Sequence, residues 1–94
     1  MDVHVRVPSA LREHCGGQAI LTVDLRDAGT VADLLDAVAC DQPALERRIR
    51  DERGVLRTHV NVFVGDRDVR ALDGLATVLA SGGEVSILAA ISGG

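Results

Sequence analysis

His59-Val60-Asn61-Val62-Phe63-Val64-Gly65-Asp66 is the stretch on which the fold turns. Val60, Val62 and Val64 alternate with His59, Asn61 and Phe63, the period of a strand with two unlike faces. Three β-branched residues on one phase suit a pleated surface packed against a core. Gly65-Asp66 fits a two-residue hairpin turn with glycine first, where a positive φ is needed, so the chain is expected to return through Arg67 to Arg70.

Toward the N-terminus, Val3, Val5 and Val7 alternate with Asp2, His4 and Arg6 and stop at Pro8, which predicts a half-buried strand. Gly16-Gly17 marks a turn and Gln18 to Leu25 a second strand, so the two should form a hairpin with a longish loop. Thr30 precedes Val31, Leu34, Leu35 and Val38, an apolar stripe at helical spacing. Thr30 to Asp33 resembles a capping box with Asp in place of Glu, and the carboxylate also favours the positive end of a helix, here predicted over 31–40. Cys40 is expected on or near its apolar face as a small core residue. Pro43 opens a second short helical stretch through Leu45 and Ile49. Its remaining positions, together with the residues just after it, carry Glu46, Arg47, Arg48, Arg50, Asp51, Glu52 and Arg53, most simply a solvated face.

Toward the C-terminus, Asp73-Gly74 starts a connection, Ser81-Gly82-Gly83 makes a turn, and Glu84 to Leu88 is a last strand. The order ββαβββ predicts an α+β domain of the β-grasp, ubiquitin-like kind. In it a mixed four- to five-stranded sheet wraps one main helix. Residues 1–88 are expected to be the domain body and 89–94 a flexible C-terminal tail. Val5, Val7, Leu34, Leu35, Val38, Val60, Val62, Val85 and Ile87 lie on the inward phase and are the predicted core.

Ninety-four residues are enough for one domain with its own core. Phe63 is the only aromatic residue, so that core must be aliphatic. A net charge of −4 and the lack of stacking platforms argue against nucleic acid and anionic membranes as partners. Every basic residue is arginine, which excludes a Walker A loop and any isopeptide bond accepted on the chain's own side chains. No basic-plus-apolar leader opens the chain and no apolar run approaches the ~18 residues of a membrane span, so the expected location is the cytoplasm, with Cys15 and Cys40 reduced. His4, His14 and His59 do not fall at metal-ligand spacings, no metal site is expected, and His14-Cys15, as sequence neighbours, do not make a nucleophile and base. No catalytic residue is assigned.

The reactive feature is the terminal Gly93-Gly94. Two residues without Cβ make a strand thin enough for a channel that excludes side chains, which points to the Gly94 carboxylate as the reacting group. Uncharged Leu88-Ala89-Ala90-Ile91-Ser92 precedes it. Extended, residues 91–94 reach roughly 13 Å from the body, and Ile91, Ser92 and Gly93 are the candidate recognition residues of the tail. By the strand alternation, Phe63 and Leu88 share the face opposite the core with Arg6 and His59, and these four are the candidate docking patch.

Taken together and in order, Val60 to Asp66, Asp73-Gly74-Leu75-Ala76-Thr77, Ser81-Gly82-Gly83-Glu84-Val85 and Gly93-Gly94 resemble the ThiS and MoaD group of ubiquitin-like sulfur carriers. Gly16-Gly17-Gln18 adds a likeness to the CysO type that supplies sulfide for cysteine synthesis. Ala89-Ala90 departs from the prolines common there and implies a more flexible exit. The resemblance implies a protein co-substrate, a monomer when alone, that binds no cofactor itself. An E1-like adenylyltransferase and sulfurtransferase of the MoeB or ThiF type would use ATP and Mg²⁺ to activate Gly94 and form a thiocarboxylate. A biosynthetic enzyme would accept the sulfur, for cysteine, molybdopterin, thiamine or a secondary metabolite, and a JAMM-type protease would release product. Two other readings use the same tail, a modifier conjugated to target lysines and a non-catalytic small subunit of molybdopterin synthase.

Overall fold

The sheet has its last strand at its centre. In the computed structural model, which describes residues 1–26 and 29–89, β1 (Asp2–Arg6), β2 (Ile20–Asp24), β3 (Val60–Val64), β4 (Arg67–Asp68) and β5 (Glu84–Ala89) are arranged in the order β2-β1-β5-β3-β4. β1 runs parallel to β5 and every other neighbouring pair is antiparallel, which makes the sheet mixed. With α1 (Val31–Asp41) supplying the apolar stripe, this is the β-grasp fold.

The alternating valines fix which face turns inward. Val3, Val5, Val60, Val62, Val85 and Ile87 are at most 1% exposed and lie in one core cluster with Val31, Leu34, Leu35 and Val38 of α1. All nine residues expected in the core are buried. Full burial of one such side chain stabilises by about 1.5–3 kcal/mol, so an aliphatic interior suffices without aromatic bulk.

Local chemistry sets the boundaries. Thr30 Oγ1 accepts the Asp33 amide at 3.2 Å and Asp33 Oδ2 accepts the Thr30 amide at 2.9 Å, a complete capping box. The Val31 amide donates to Thr77 O, while Thr77 Oγ1 donates to Gly74 O and accepts the Asp73 amide. Asp73-Gly74-Leu75-Ala76-Thr77 therefore braces the start of α1. Gly65 has φ 63° and no described non-glycine residue has positive φ, the pattern of a type II′ hairpin turn between β3 and β4.

Four expectations are corrected. The connection after β1 is a 3₁₀ helix, Ser9–Cys15, closed where Gly16 turns left-handed and Gly17 donates to Arg12 O. β2 is shorter than the run from Gln18 to Leu25. Cys40 is exposed, because it lies two residues and so about 200° round the helix from the buried Val38. Arg50, just after α2 (Pro43–Ile49), is only 8% exposed rather than solvated. It donates to Asp36 Oδ1 at 2.9 Å and to Glu46 Oε1 at 2.5 Å, which ties the end of α2 to α1.

Candidate functional site

β5, the last described strand, lies in the middle of the sheet. Its final rung sets Ala89 opposite Val60, so Ala89, expected with the tail, is still strand. Ile91, Ser92, Gly93 and Gly94 lie outside the described residues; the platform from which they continue does not.

That platform is the sheet face away from α1. Register places Ile20 opposite Arg6, Arg6 opposite Ser86, Ser86 opposite Phe63, and Phe63 opposite Asp68, one row across all five strands. Leu88 lies two residues beyond Ser86 on the same face, diagonal to Phe63 and opposite Asn61. Ile20 and Leu88 are 50% and 49% exposed, and Phe63 is half-buried. Arg6 is committed to Glu84, its Nε lying 2.5 Å from Oε1. A shallow cleft of about 260 Å³ runs between Ile20 and Leu88 past Arg6, Pro8 and Arg12. Phe63, Leu88 and Arg6 are thus brought to one face, with Ile20 as a member that sequence reasoning missed.

His59 stands elsewhere. It is exposed in the turn before β3 and lines a separate cleft with Leu11, Arg48, Arg57, Val60 and Ala89. Four positions along the chain separate it from Phe63, roughly 13 Å when extended. The structure therefore divides the four expected docking residues between two places.

The remaining candidates for chemistry are tied up in structure. Cys15 is buried and its Sγ donates to Gln18 O, while Gln18 Nε2 donates back to Cys15 O. Gly16-Gly17-Gln18 thus closes the 3₁₀ turn on itself. His14 Nε2 is 3.5 Å from Glu13 Oε1, and His4 shares a hydrogen bond with Thr22. Among the described residues no three His, Cys, Asp or Glu side chains are grouped to hold a metal ion, and no helix is long and apolar enough to cross a membrane.

A model of the ThiS family matches residues 5–94. Sulfur carrier protein CysO of Mycobacterium tuberculosis is 38% identical over 96 residues, covering all of both chains. Small archaeal modifier protein 3 of Haloferax volcanii is 35% identical over 95 residues, again with both chains fully covered. In the crystal structure of the Amycolatopsis orientalis BexX/CysO complex, a chain 35% identical superposes with a TM-score of 0.82, covering 98% of this chain and 99% of that one.

Proposed function

The chain belongs to the ThiS family, and from that membership we propose that it is a sulfur carrier protein whose Gly94 carboxylate is adenylated and then converted to a thiocarboxylate. The observation that supports this reading best is the placement of β5: the central strand reaches Ala89, beside Val60, and in sequence only residues 90–92 separate it from Gly93-Gly94. Full-length similarity to a sulfur carrier supports it independently.

A carboxylate resists nucleophiles because it is anionic and lacks a leaving group. In the proposed sequence a Gly94 carboxylate oxygen attacks the α-phosphorus of ATP and pyrophosphate leaves. A sulfur nucleophile then attacks the acyl carbon and AMP leaves. ATP, Mg²⁺ and the catalytic groups belong to an E1-like partner. This chain supplies the acyl group, the diglycine that admits it to a narrow channel, and the docking face of Ile20, Phe63 and Leu88. The thiocarboxylate then gives its sulfur to a biosynthetic enzyme. A similar chain crystallised in a complex with BexX, which supports a second protein as receiver.

Mass spectrometry of the protein isolated from its host, and after incubation with the host's adenylating enzyme, ATP and a sulfur donor, tests this. Replacement of one oxygen by sulfur at Gly94 is expected. A ladder of lysine conjugates without that replacement would instead identify a modifier.

A further inference from the structure

The cleft of about 290 Å³ at the base of the exit strand has an apolar floor, formed by Ala10, Leu11, Val60 and Ala89, and a cationic wall. Arg48, Arg57 and His59 supply that wall, in a chain whose net charge is −4. Among the described residues none of the three makes an ion pair, whereas Arg6, Arg50 and Arg53 all do. Arg57 is also held in place: its Nε donates to Arg47 O at 2.9 Å, which leaves its Nη groups free to bond a ligand. A fourth cation reaches the same strand end. Arg70 bonds through its guanidinium to Asn61 Oδ1 and to Val60 O, both neutral acceptors.

Four positively charged or protonatable groups thus gather around Val60 and Ala89, the last described residue of β5. None of the four side chains forms an ion pair among the described residues, although the Asp68 carboxylate accepts the Arg70 amide, and the apolar floor beneath offers little to a free inorganic anion. A chain segment carrying both carboxylates and an aliphatic side chain matches floor and wall together. Position names its source: whatever protein receives residues 90–94 must bring its channel mouth up to Ala89.

We infer that Arg48, Arg57, His59 and Arg70 form a cationic collar that receives an acidic segment at the channel mouth of the tail-binding protein. This rests on the tail-delivery reading above, and it adds a second contact, separate from the Ile20, Phe63 and Leu88 face. Charge complementarity of this kind acts chiefly on encounter and register, and it weakens with salt.

The test is steady-state thiocarboxylation of the full chain by its host's adenylating enzyme, with parent, Arg48→Glu and Arg48→Glu/Arg70→Glu proteins. For the parent, KM for the carrier should rise with ionic strength. The double variant should raise KM about tenfold or more at low salt, with kcat nearly unchanged and the salt dependence flattened. Arg48 makes no side-chain hydrogen bond among the described residues, so the single variant keeps the test open if the double one unfolds. Parental KM and salt dependence in the variants, with normal sulfur gain, would overturn the collar and leave the carrier reading standing. No sulfur gain by the parent would overturn both. Converting the Gly94 carboxylate to a carboxamide supplies a further check. Altered NMR shifts at the Arg57 and His59 side chains would mean that the chain's own terminus fills the cleft, and would overturn the assignment to a partner.

Discussion

Val60 and Ala89 face each other on the final described rung of the β3–β5 ladder, and Val60 is fully buried. β1 pairs with β5 over Glu84–Ser86 only, so the last described residue of the strand, Ala89, is held by β3 alone. Residues 90–94 span at most roughly 17 Å beyond that point. A partner acting on Gly94 must therefore bind the body close to this exit.

The outer sheet face is the surface expected to meet it. Replacing Phe63, Leu88 or Ile20 by Ala should weaken binding to the activating enzyme by about 1–3 kcal/mol each, the range of interface anchors. The measurement is KM for the carrier, with circular dichroism to confirm an intact fold. Unchanged adenylation at subsaturating carrier would remove this face from the interface.

Leu35 has no exposure and lies in the core cluster, so its contribution is to stability. Leu35→Ala should cost about 2–5 kcal/mol through lost burial and the cavity left behind. Urea unfolding would show a lower midpoint at similar slope. A loss below about 1 kcal/mol, under the range for such a cavity, would mean that α1 is not seated on the sheet.

Arg50 bonds two carboxylates of very different exposure, and this predicts an asymmetry. Glu46 is 13% exposed and Asp36 is 70% exposed. Arg50→Ala leaves Glu46 nearly dry without its cation and should cost about 1.5–3 kcal/mol, typical of hydrogen bonds to charged groups. Asp36→Ala removes a partner that water already reaches, and about 0–1 kcal/mol is expected. Equal losses in the two variants would contradict the geometry.

Asp51 organises the loop after α2. Its Oδ1 accepts the Val55 and Arg53 amides, and its Oδ2 lies 3.2 Å from Arg53 Nη2. The Val55 amide first, with help from Arg53, holds the carboxyl below its ordinary 3.8. Because the folded value lies below the unfolded one, the Asp51 contribution is complete at neutral pH. It is lost as pH falls below about 4 and through the folded value. A carbon-detected NMR titration should place the Asp51 midpoint below those of unbonded aspartates, and Asp51→Asn should abolish that contribution.

What could be read from the residues came from local rules. The Val60-Val62 phase, the Thr30–Asp33 box and the Gly65 turn each depend on neighbours within a few positions. Ile20 is not singled out, because Ala19, Leu21, Val23 and Leu25 take the inward phase and Gln18, Thr22 and Asp24 the outward one, where a single apolar side chain is ordinary. Pairing with Arg6 is what sets Ile20 in the row that leads to Phe63. Arg50 looked like any other member of a charge run, and its burial depends on Asp36, fourteen positions earlier. Parity alone groups His59 with Phe63, although the strand begins one residue after it.

The tail should concentrate function without contributing stability. Under the carrier proposal, deleting Gly94 moves the reacting carboxylate back by about 3.5 Å, and misplacement on even the 1 Å scale can cost ~100-fold in rate. Gly93→Val places a branched side chain where the partner's channel is expected to accept only hydrogen. Neither change alters a side chain of the buried cluster around Leu35 and Val62, so both variants should melt like the parent while failing to gain sulfur from the activating enzyme with ATP. Thermal melts and intact-protein mass spectrometry on the same samples separate the two effects. A truncated chain thiocarboxylated at the parental rate would rule out Gly94 as the acyl group, whatever the face of Ile20, Phe63 and Leu88 proved to bind.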